Sequence, residues 1–405
     1  LTRSMSFIPY GRHLVESDDI EAVTAVLKGD FLTTGPTISA FEGALAKRVR
    51  SRHTIVCSSG TAALHLAMLA LGLGPGDAVI VPSITFLATA NAARYVGADV
   101  IFSDVDPQTG LMRPSDFKKA LDSSSAQIKA VLPVHLAGQS PDLPGISEIA
   151  LKRKISVIED ACHALGSTYP IEKGVAFAGS CSHSDIAVFS FHPVKTIAMG
   201  EGGALTTNDE NIAERLQLFR NHGIVREPGD FINQEMAFDV PDAANPWYYE
   251  MQEIGFNYRA NDINCALGLS QLEKFERFSK RRKKLSTLYD VALEELSTIV
   301  RPIGRMPGCN PVWHLYVVLI DFEKARISRA TLMGLLHKNG IGTQVHYIPV
   351  HRQPYYQKLY GDVSLPGADQ YYAQCLTLPL FPEMKDVDVN RVVGTLTSIL
   401  EKGLV

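Results

Sequence analysis

DIAVFSFHPVKTIAMGEGGALTT, residues 185–207, decides how this chain is read. The run Asp185-Ile186-Ala187-Val188-Phe189-Ser190-Phe191 has the apolar pattern of a buried strand, and Gly203-Ala204-Leu205-Thr206-Thr207 reads as a second strand. Between them, Pro193 and the glycines at 200, 202 and 203 leave Lys195 in an irregular, constrained connection. A lysine on a helix surface is solvated and uninformative. One held at the end of a buried strand loses hydration, shifts to lower pKa and becomes a usable nucleophile toward carbonyls. A surface-loop lysine is the alternative this window leaves open, so other segments have to decide.

Outward from this stretch the chain keeps a rhythm. Apolar runs at 54–57, 78–81, 100–102, 130–134 and 155–158 are each strand-like, and the first four lead into helical patterns at 62–73, 87–96, 114–121 and 146–153. Such alternation builds βαβ units and a mostly parallel sheet, in which ligands gather at the carboxyl ends of the strands. After residue 207 the pattern changes. A helix is expected near 210–220, a long irregular stretch rich in Pro, Asn and aromatics over 222–258, and one long amphipathic helix over 261–296. A strand at 315–320 and helices at 329–339 and 387–400 then suggest a smaller α+β domain. We expect a large domain over 1–265, with its first thirty residues partly substrate-facing, and the smaller one over 266–405.

Length and composition fit this plan. The 405 residues are 46% hydrophobic, enough for more than one core, and the net charge of −4 shows no like-charge block suited to nucleic acid. Six scattered cysteines, at 57, 162, 181, 265, 309 and 375, form no C-x-x-C pair or zinc-like spacing. That suggests reduced thiols in a cytoplasmic protein with no metal. No apolar run reaches the ~18 residues of a membrane span, and no secretory h-region is apparent near the start.

Three further positions sit where a parallel sheet meets its ligand. In Cys57-Ser58-Ser59-Gly60-Thr61-Ala62, a strand passes through small residues into a helix, a junction whose free N–H groups and dipole suit a phosphate. An ordinary N-cap by Ser59 or Thr61 is the plainer reading of the same residues. Asp160 closes a strand, and a carboxylate there needs a partner, such as a protonated ring nitrogen or the following turn. Phe86 stands at another strand-to-helix junction, where a flat ring either stacks on a ligand or joins the core. No G-x-G-x-x-G or Walker sequence follows any strand, and the glycines at 72, 74 and 76 read as a helix stop. A phosphate cradle, a strand-end Asp and a loop lysine are together what pyridoxal phosphate requires.

At this point a resemblance is evident. Ser-Gly-Thr-Ala-Ala-Leu from 59, Glu-Asp-Ala-Cys-His-Ala-Leu-Gly from 159, the stretch from Ser190 to Gly203, and Gly-Phe-Asn-Tyr-Arg-Ala-Asn-Asp-Ile from 255 are similar to the DegT/StrS-type sugar aminotransferases. The resemblance spans nearly the whole chain, from Phe31-Leu32-Thr33-Thr34-Gly35-Pro36 to Leu378-Pro379-Leu380-Phe381-Pro382. It implies an α/β fold of the type I pyridoxal phosphate class, aspartate aminotransferase-like, with helices on both faces of a mostly parallel sheet. Residues 247–252 and 345–351 most resemble the branch that aminates UDP-4-keto-6-deoxy-N-acetyl sugars on the route to pseudaminic acid.

By this resemblance Lys195 carries the Schiff base, Asp160 holds the pyridinium nitrogen, His163 contacts the cofactor and Phe86 stacks on it. Gly60, Thr61 and Ser190 would bind the phosphate. Asn257 matches a residue that crosses to the neighbouring subunit's cofactor, implying a homodimer with shared sites. Tyr10, Phe31, Leu32, Thr33, Thr34, Arg259 and the loop of His346, Tyr347, Ile348, Pro349 and His351 would meet the nucleotide sugar. L-Glutamate is the expected amino donor, with pyridoxamine phosphate between the half-reactions. GDP- or dTDP-linked sugars and an amino-acid-only aminotransferase stay open. A related dehydratase, which has histidine in place of the lysine, is disfavoured by Lys195, and a non-catalytic relative is disfavoured by the filled cofactor set.

Overall fold

The computed structural model describes residues 6–240 and 243–403. Its central sheet has seven strands: β1 His53–Cys57, β2 Asp77–Pro82, β3 Asp99–Ser103, β4 Gln127–Val131, β5 Ser156–Asp160, β6 Ile186–Ser190 and β7 Gly203–Thr207. Their spatial order is β1-β7-β6-β5-β4-β2-β3. The pairs β2/β3, β2/β4, β4/β5 and β5/β6 are parallel; the helices Gly60–Ala70, Leu87–Tyr95, Pro114–Asp122 and Leu143–Arg153 lead in chain order from β1 to β5, and β5 passes to β6 without a helix. β7 runs antiparallel to both β6 and β1. β6 and β7 are joined by the short loop 191–202 without a crossover helix, a connection that suits antiparallel neighbours. That loop carries Lys195. β5, β6 and β7 are buried along nearly their whole length, as strands covered by helices on both faces must be.

The expected single helix over 261–296 is two helices, Asp262–Glu273 and Phe275–Ala292, followed by a short 3-10 turn at Glu294–Leu296. The break falls at Lys274, whose Nζ is 2.7 Å from both Asp18 and Asp19 of the N-terminal helix Ser17–Lys28. Its own N–H turns to the Gln271 carbonyl at 3.2 Å, an i→i−3 bond that tightens the chain there. The expected domain boundary at 265/266 falls inside the first of these helices. Beyond it, Val300–Pro302, Tyr316–Ile320 and Cys375–Leu378 form a three-stranded antiparallel sheet backed by Arg329–Lys338 and Asp386–Gly403.

Two regions depart from the sequence reading. A hairpin, Thr168–Ile171 with Gly174–Phe177, was not expected, since its four-residue strands are short and one contains Pro170. The stretch over 222–258 is not structureless. Ile224–Val225 pairs with Glu250–Met251, and a one-turn helix, Gln234–Ala237, sits between them. No helix among the described residues is long and apolar enough to cross a membrane.

Candidate active site

The carboxyl ends of β1, β5 and β6 open onto a cavity of about 580 Å³. Its first wall is the turn into helix Gly60–Ala70. Ser59 is the N-cap: its Oγ accepts from the Ala62 N–H at 3.1 Å, and its carbonyl takes the first helical bond, from Ala63, at 3.0 Å. The amides of Gly60 and Thr61 precede those bonds and are left over at the positive end of the helix, a ready anion site. A Cβ on Gly60 would stand 2.8 Å from the Ser190 Cβ, and one on Gly203 only 2.2 Å from the Ser59 carbonyl oxygen. Glycine at both positions lets β1, β6 and β7 close around a cup with the Ser190 hydroxyl beside it. The plain N-cap and the phosphate cradle are therefore one structure.

Asp160 forms the floor. It is buried, and its two carboxylate oxygens accept from the Thr89 hydroxyl at 2.7 Å and the Cys162 N–H at 3.2 Å. Thr85 in turn lies 2.7 Å from Thr89, hydroxyl to hydroxyl. The carboxylate is thus aimed at the cavity by neutral donors. Lys195 is half-buried and opens onto the same space, with its N–H bonded to the His192 carbonyl at 2.8 Å. Bonds from the Phe191 amide to Gly202 and from the Met199 amide back to Phe191, each 2.9 Å, close the loop around it. Burial pushes the Lys195 amine below the usual lysine pKa, with Cys162 and Asp160 pulling the other way.

The third wall comes from His163 and the smaller sheet's side of the chain. His163 Nδ1 accepts from the Ala137 N–H at 3.3 Å, and its Nε2 lies 3.1 Å from the Tyr347 hydroxyl. Burial, then the nearby Lys195, holds the His163 pKa well below its ordinary value, so the ring is neutral and its one proton sits on Nε2. Nε2 then donates to the Tyr347 oxygen, which leaves the Tyr347 hydroxyl proton free for a ligand. His346 is also neutral, lowered to about 3 by burial and Lys195, with Nδ1 2.7 Å from the Thr377 hydroxyl. Phe86, 56% exposed, presents its ring at the rim, and Tyr10 stands against His346 at 5.6 Å between ring centroids.

The cavity thus brings together Tyr10, Gly60, Thr61, Phe86, Asp160, His163, Ser190, Lys195, His346, Tyr347 and Ile348. It does not include Pro349 or His351. The His351 ring is buried against the Ser83 hydroxyl at 2.6 Å, a packing role within this chain. Phe31, Leu32, Thr33, Thr34, Asn257 and Arg259 also lie outside it, on adjoining segments of one surface. Thr33 pairs with Asn261, the Leu32 carbonyl accepts from the Asp262 amide at 3.1 Å, and Arg259 reaches Asn221 at 2.6 Å. Thr89, Ala137, Cys162, His314 and Gln344 belong to the site or its support but were not found by sequence reading. For Thr89 a signal existed, since it lies one turn into a helix that starts at the site's edge. Ala137 acts through its backbone, at a φ of 60° that no residue type announced.

Comparison with known proteins agrees with this geometry. The model of the DegT/DnrJ/EryC1/StrS aminotransferase family matches residues 14–397. The spore coat polysaccharide biosynthesis protein SpsC of Bacillus subtilis is 36% identical over 398 residues, covering 98% of this chain and 97% of the relative. Among solved structures, PseC of Helicobacter pylori, an aminotransferase involved in the biosynthesis of pseudoaminic acid, superposes with a TM-score of 0.86 at 27% identity. That match covers 98% of this chain and 100% of PseC. The putative sugar aminotransferase Spr1654 of Streptococcus pneumoniae, in its PLP-form, gives the same TM-score, identity and coverage, and its PMP-form a TM-score of 0.85 at 26% identity, covering 98% of each chain. The chain belongs to the DegT/DnrJ/EryC1/StrS aminotransferase family.

Proposed function

We propose that this chain transfers the amino group of L-glutamate to carbon 4 of a UDP-linked 4-keto-6-deoxy-N-acetyl sugar, for a surface glycan such as pseudaminic acid. The observation that carries the reading is the convergence of three groups on one cavity: the leftover amides of Gly60 and Thr61, the aimed carboxylate of Asp160 and the amine of Lys195. These residues fit pyridoxal 5′-phosphate. Gly60, Thr61 and Ser190 hold its phosphate, Asp160 its ring nitrogen, Lys195 its aldehyde, and Phe86 and His163 its ring. When bound, that group stores the amino group as pyridoxamine phosphate between two half-reactions.

The chain's own residues do the rest. The carboxylate of Asp160, aimed by Thr89 and Cys162, would hold the ring nitrogen. Burial shifts the Lys195 amine toward its free base, the form that attacks a carbonyl and takes a proton. Lys195 Nζ would take the proton that leaves the donor's α-carbon and would deliver one at carbon 4 of the sugar. His163, His346 and Tyr347, none of which ionises near neutral pH, line this path without adding charge.

The nucleotide sugar is supported by the relatives: PseC acts in pseudoaminic acid biosynthesis and SpsC in spore coat polysaccharide biosynthesis. In the same reading, two copies of the chain share their sites, with Asn257 and the surface of Phe31 to Thr34 and Arg259 completing the neighbour's cavity. The test is optical. Glutamate should convert the loaded protein's lysine-linked band to the pyridoxamine form, and the UDP-linked keto sugar should restore it. Restoration by GDP- or dTDP-linked sugars alone would move the nucleotide assignment. Failure of glutamate to convert a loaded protein would overturn the donor.

A further inference from the structure

The segment that carries His346, Tyr347 and Ile348 into the cavity is tied down at both ends, and each end is tied to a different sheet. At its start, Gln344 and Thr377 exchange main-chain bonds of 3.2 and 2.7 Å, and His346 Nδ1 lies 2.7 Å from the Thr377 hydroxyl, on the three-stranded sheet. At its finish, the contacts fall on one residue, Ser83, which directly follows β2 of the seven-stranded sheet and begins the turn to Phe86. The Ser83 carbonyl accepts from the Val350 N–H at 2.9 Å, and its hydroxyl lies 2.6 Å from His351 Nδ1. Ser83 is itself fixed, since its N–H donates to the Ser103 carbonyl, at the end of β3, at 3.0 Å.

Burial holds His351 below its ordinary pKa, so the ring is neutral and carries one proton. Its Nε2 has no hydrogen-bond partner but faces the Asp369 carboxylate at 3.9 Å, whose charge favours the proton on that nitrogen. Nδ1 then accepts from the Ser83 hydroxyl. Two polar atoms that would each be buried and unsatisfied thus satisfy each other. Neither residue lines the cavity, so any effect there passes through what the segment carries. Only Ile348 and Pro349 separate Tyr347 from Val350, and the locked φ of a proline stiffens that link. The Tyr347 ring stands 6.1 Å from that of Phe86 and 6.1 Å from that of His163, with its hydroxyl 3.1 Å from His163 Nε2.

We propose that His351 is a positioning residue: by latching the far end of this span to Ser83, it places the Tyr347 hydroxyl against His163 and toward the substrate, without touching substrate or cofactor itself. The consequence for substrate rests on the function proposed above; the latch does not.

The latch is read first without substrate, from the ring N–H of His163 in the NMR spectrum of apo-protein carrying isotope-labelled histidine. The wild type should show a protected Nε2–H, identified by its loss in Tyr347→Phe. Ser83→Ala removes the hydroxyl, and His351→Gln carries its amide to the place of Nε2 rather than Nδ1. Each should let the His163 proton exchange at least about 10-fold faster, whereas His351→Asn, whose side-chain oxygen stands near the place of Nδ1, should restore protection. In the loaded enzyme, the L-glutamate concentration that half-saturates a single-turnover half-reaction should rise about 5-fold to 10-fold in both loosened variants and return toward wild type in His351→Asn. Cofactor affinity should change less. On a Tyr347→Phe background, His351→Gln should add nothing further, because its effect acts through that hydroxyl. If His351→Gln does not fold, Ser83→Ala carries the same reading. An unchanged His163 proton in the loosened variants, equal effects of Asn and Gln, or a full added effect over Tyr347→Phe would overturn the proposal. A wild type that L-glutamate does not convert would overturn the donor proposed above, while the His163 proton still decides the latch.

Discussion

The floor of the cavity and the surface formed by residues 222–258 with Phe31 to Thr34 contrast in how far one chain completes them. At the floor, Asp160 has two donors, His163 has a partner on each nitrogen, and the Lys195 loop is closed by backbone bonds. The outer region is organised inside but open outside. Glu250 gathers the amides of Ile232 at 2.6 Å and Asn233 at 3.2 Å, the Tyr248 hydroxyl and the Gln252 amide, and is pulled down to about 2, chiefly by the Ile232 N–H. Yet Trp247 is 69% and Ile254 76% exposed, with Phe31 and Leu32 half exposed beside the neighbouring segments. One region is ready for chemistry within a single chain. The other is a fixed surface whose apolar face has nothing to cover it in one copy.

That contrast breaks most sharply at Lys195. Lys195→Ala should keep the fold and lose transamination by at least about 10⁴-fold, since anchor and proton carrier vanish together. A variant with near-normal turnover would show that the floor is not the reacting centre. Gly60→Ala comes next: its Cβ would stand 2.8 Å from Ser190, and overpacking of about 1–3 kcal/mol should weaken cofactor binding roughly 10-fold to 100-fold, read by titration of the apo-protein.

The outer region is tested by mixing. Asn257→Ala alone should loosen the cofactor about tenfold, as loss of one hydrogen bond to a charged group does. Mixed with Lys195→Ala, it should return wild-type cofactor affinity to the one Lys195-bearing site of each hybrid pair, about half of all such sites, if two copies share sites. No recovery would leave the open surface without its proposed use.

The smallest effect distinguishes the two regions by pH. His163, His314 and His346 are buried neutral, so below about 6.5 the unfolded chain takes up protons that the folded chain refuses. Stability of the apo-protein should therefore fall as pH drops from 6.5 toward 3. Glu250 acts lower: its folded pKa of about 2 lies beneath the unfolded 4.5, so its contribution is present above 4.5 and is lost as pH falls through 2. Amide exchange should show the cavity region loosening in the upper window and residues 230–252 only in the lower one. Loosening of both together would mean that the two regions are a single cooperative unit.

These regions also differ in how much the sequence disclosed. Lys195, Asp160 and Gly60 were legible because each marks a strand end where a backbone rule applies: an irregular loop, a carboxylate at an apolar run's close, a glycine before a helix. The parallel order of the sheet followed from the same alternation. His314 was not legible, since what places it is a partner distant in sequence, Arg282, whereas Thr89 carried a signal in its place at the start of a helix on the site's edge. The break at Lys274 was hidden for the same reason, because the helical period continues through it and only the acids at 18 and 19 show why the chain tightens there. His351 fits the resemblance as a substrate residue, but the nearer partner was Ser83.

The central claim is that Lys195 is the residue joined to pyridoxal phosphate. Borohydride reduction of the loaded protein, followed by proteolysis and mass spectrometry, tests it most directly. A single phosphopyridoxyl group is expected, on the peptide containing Lys195, and none in Lys195→Ala. The same group on another lysine, or no covalent label on a protein that retains the cofactor, would contradict it.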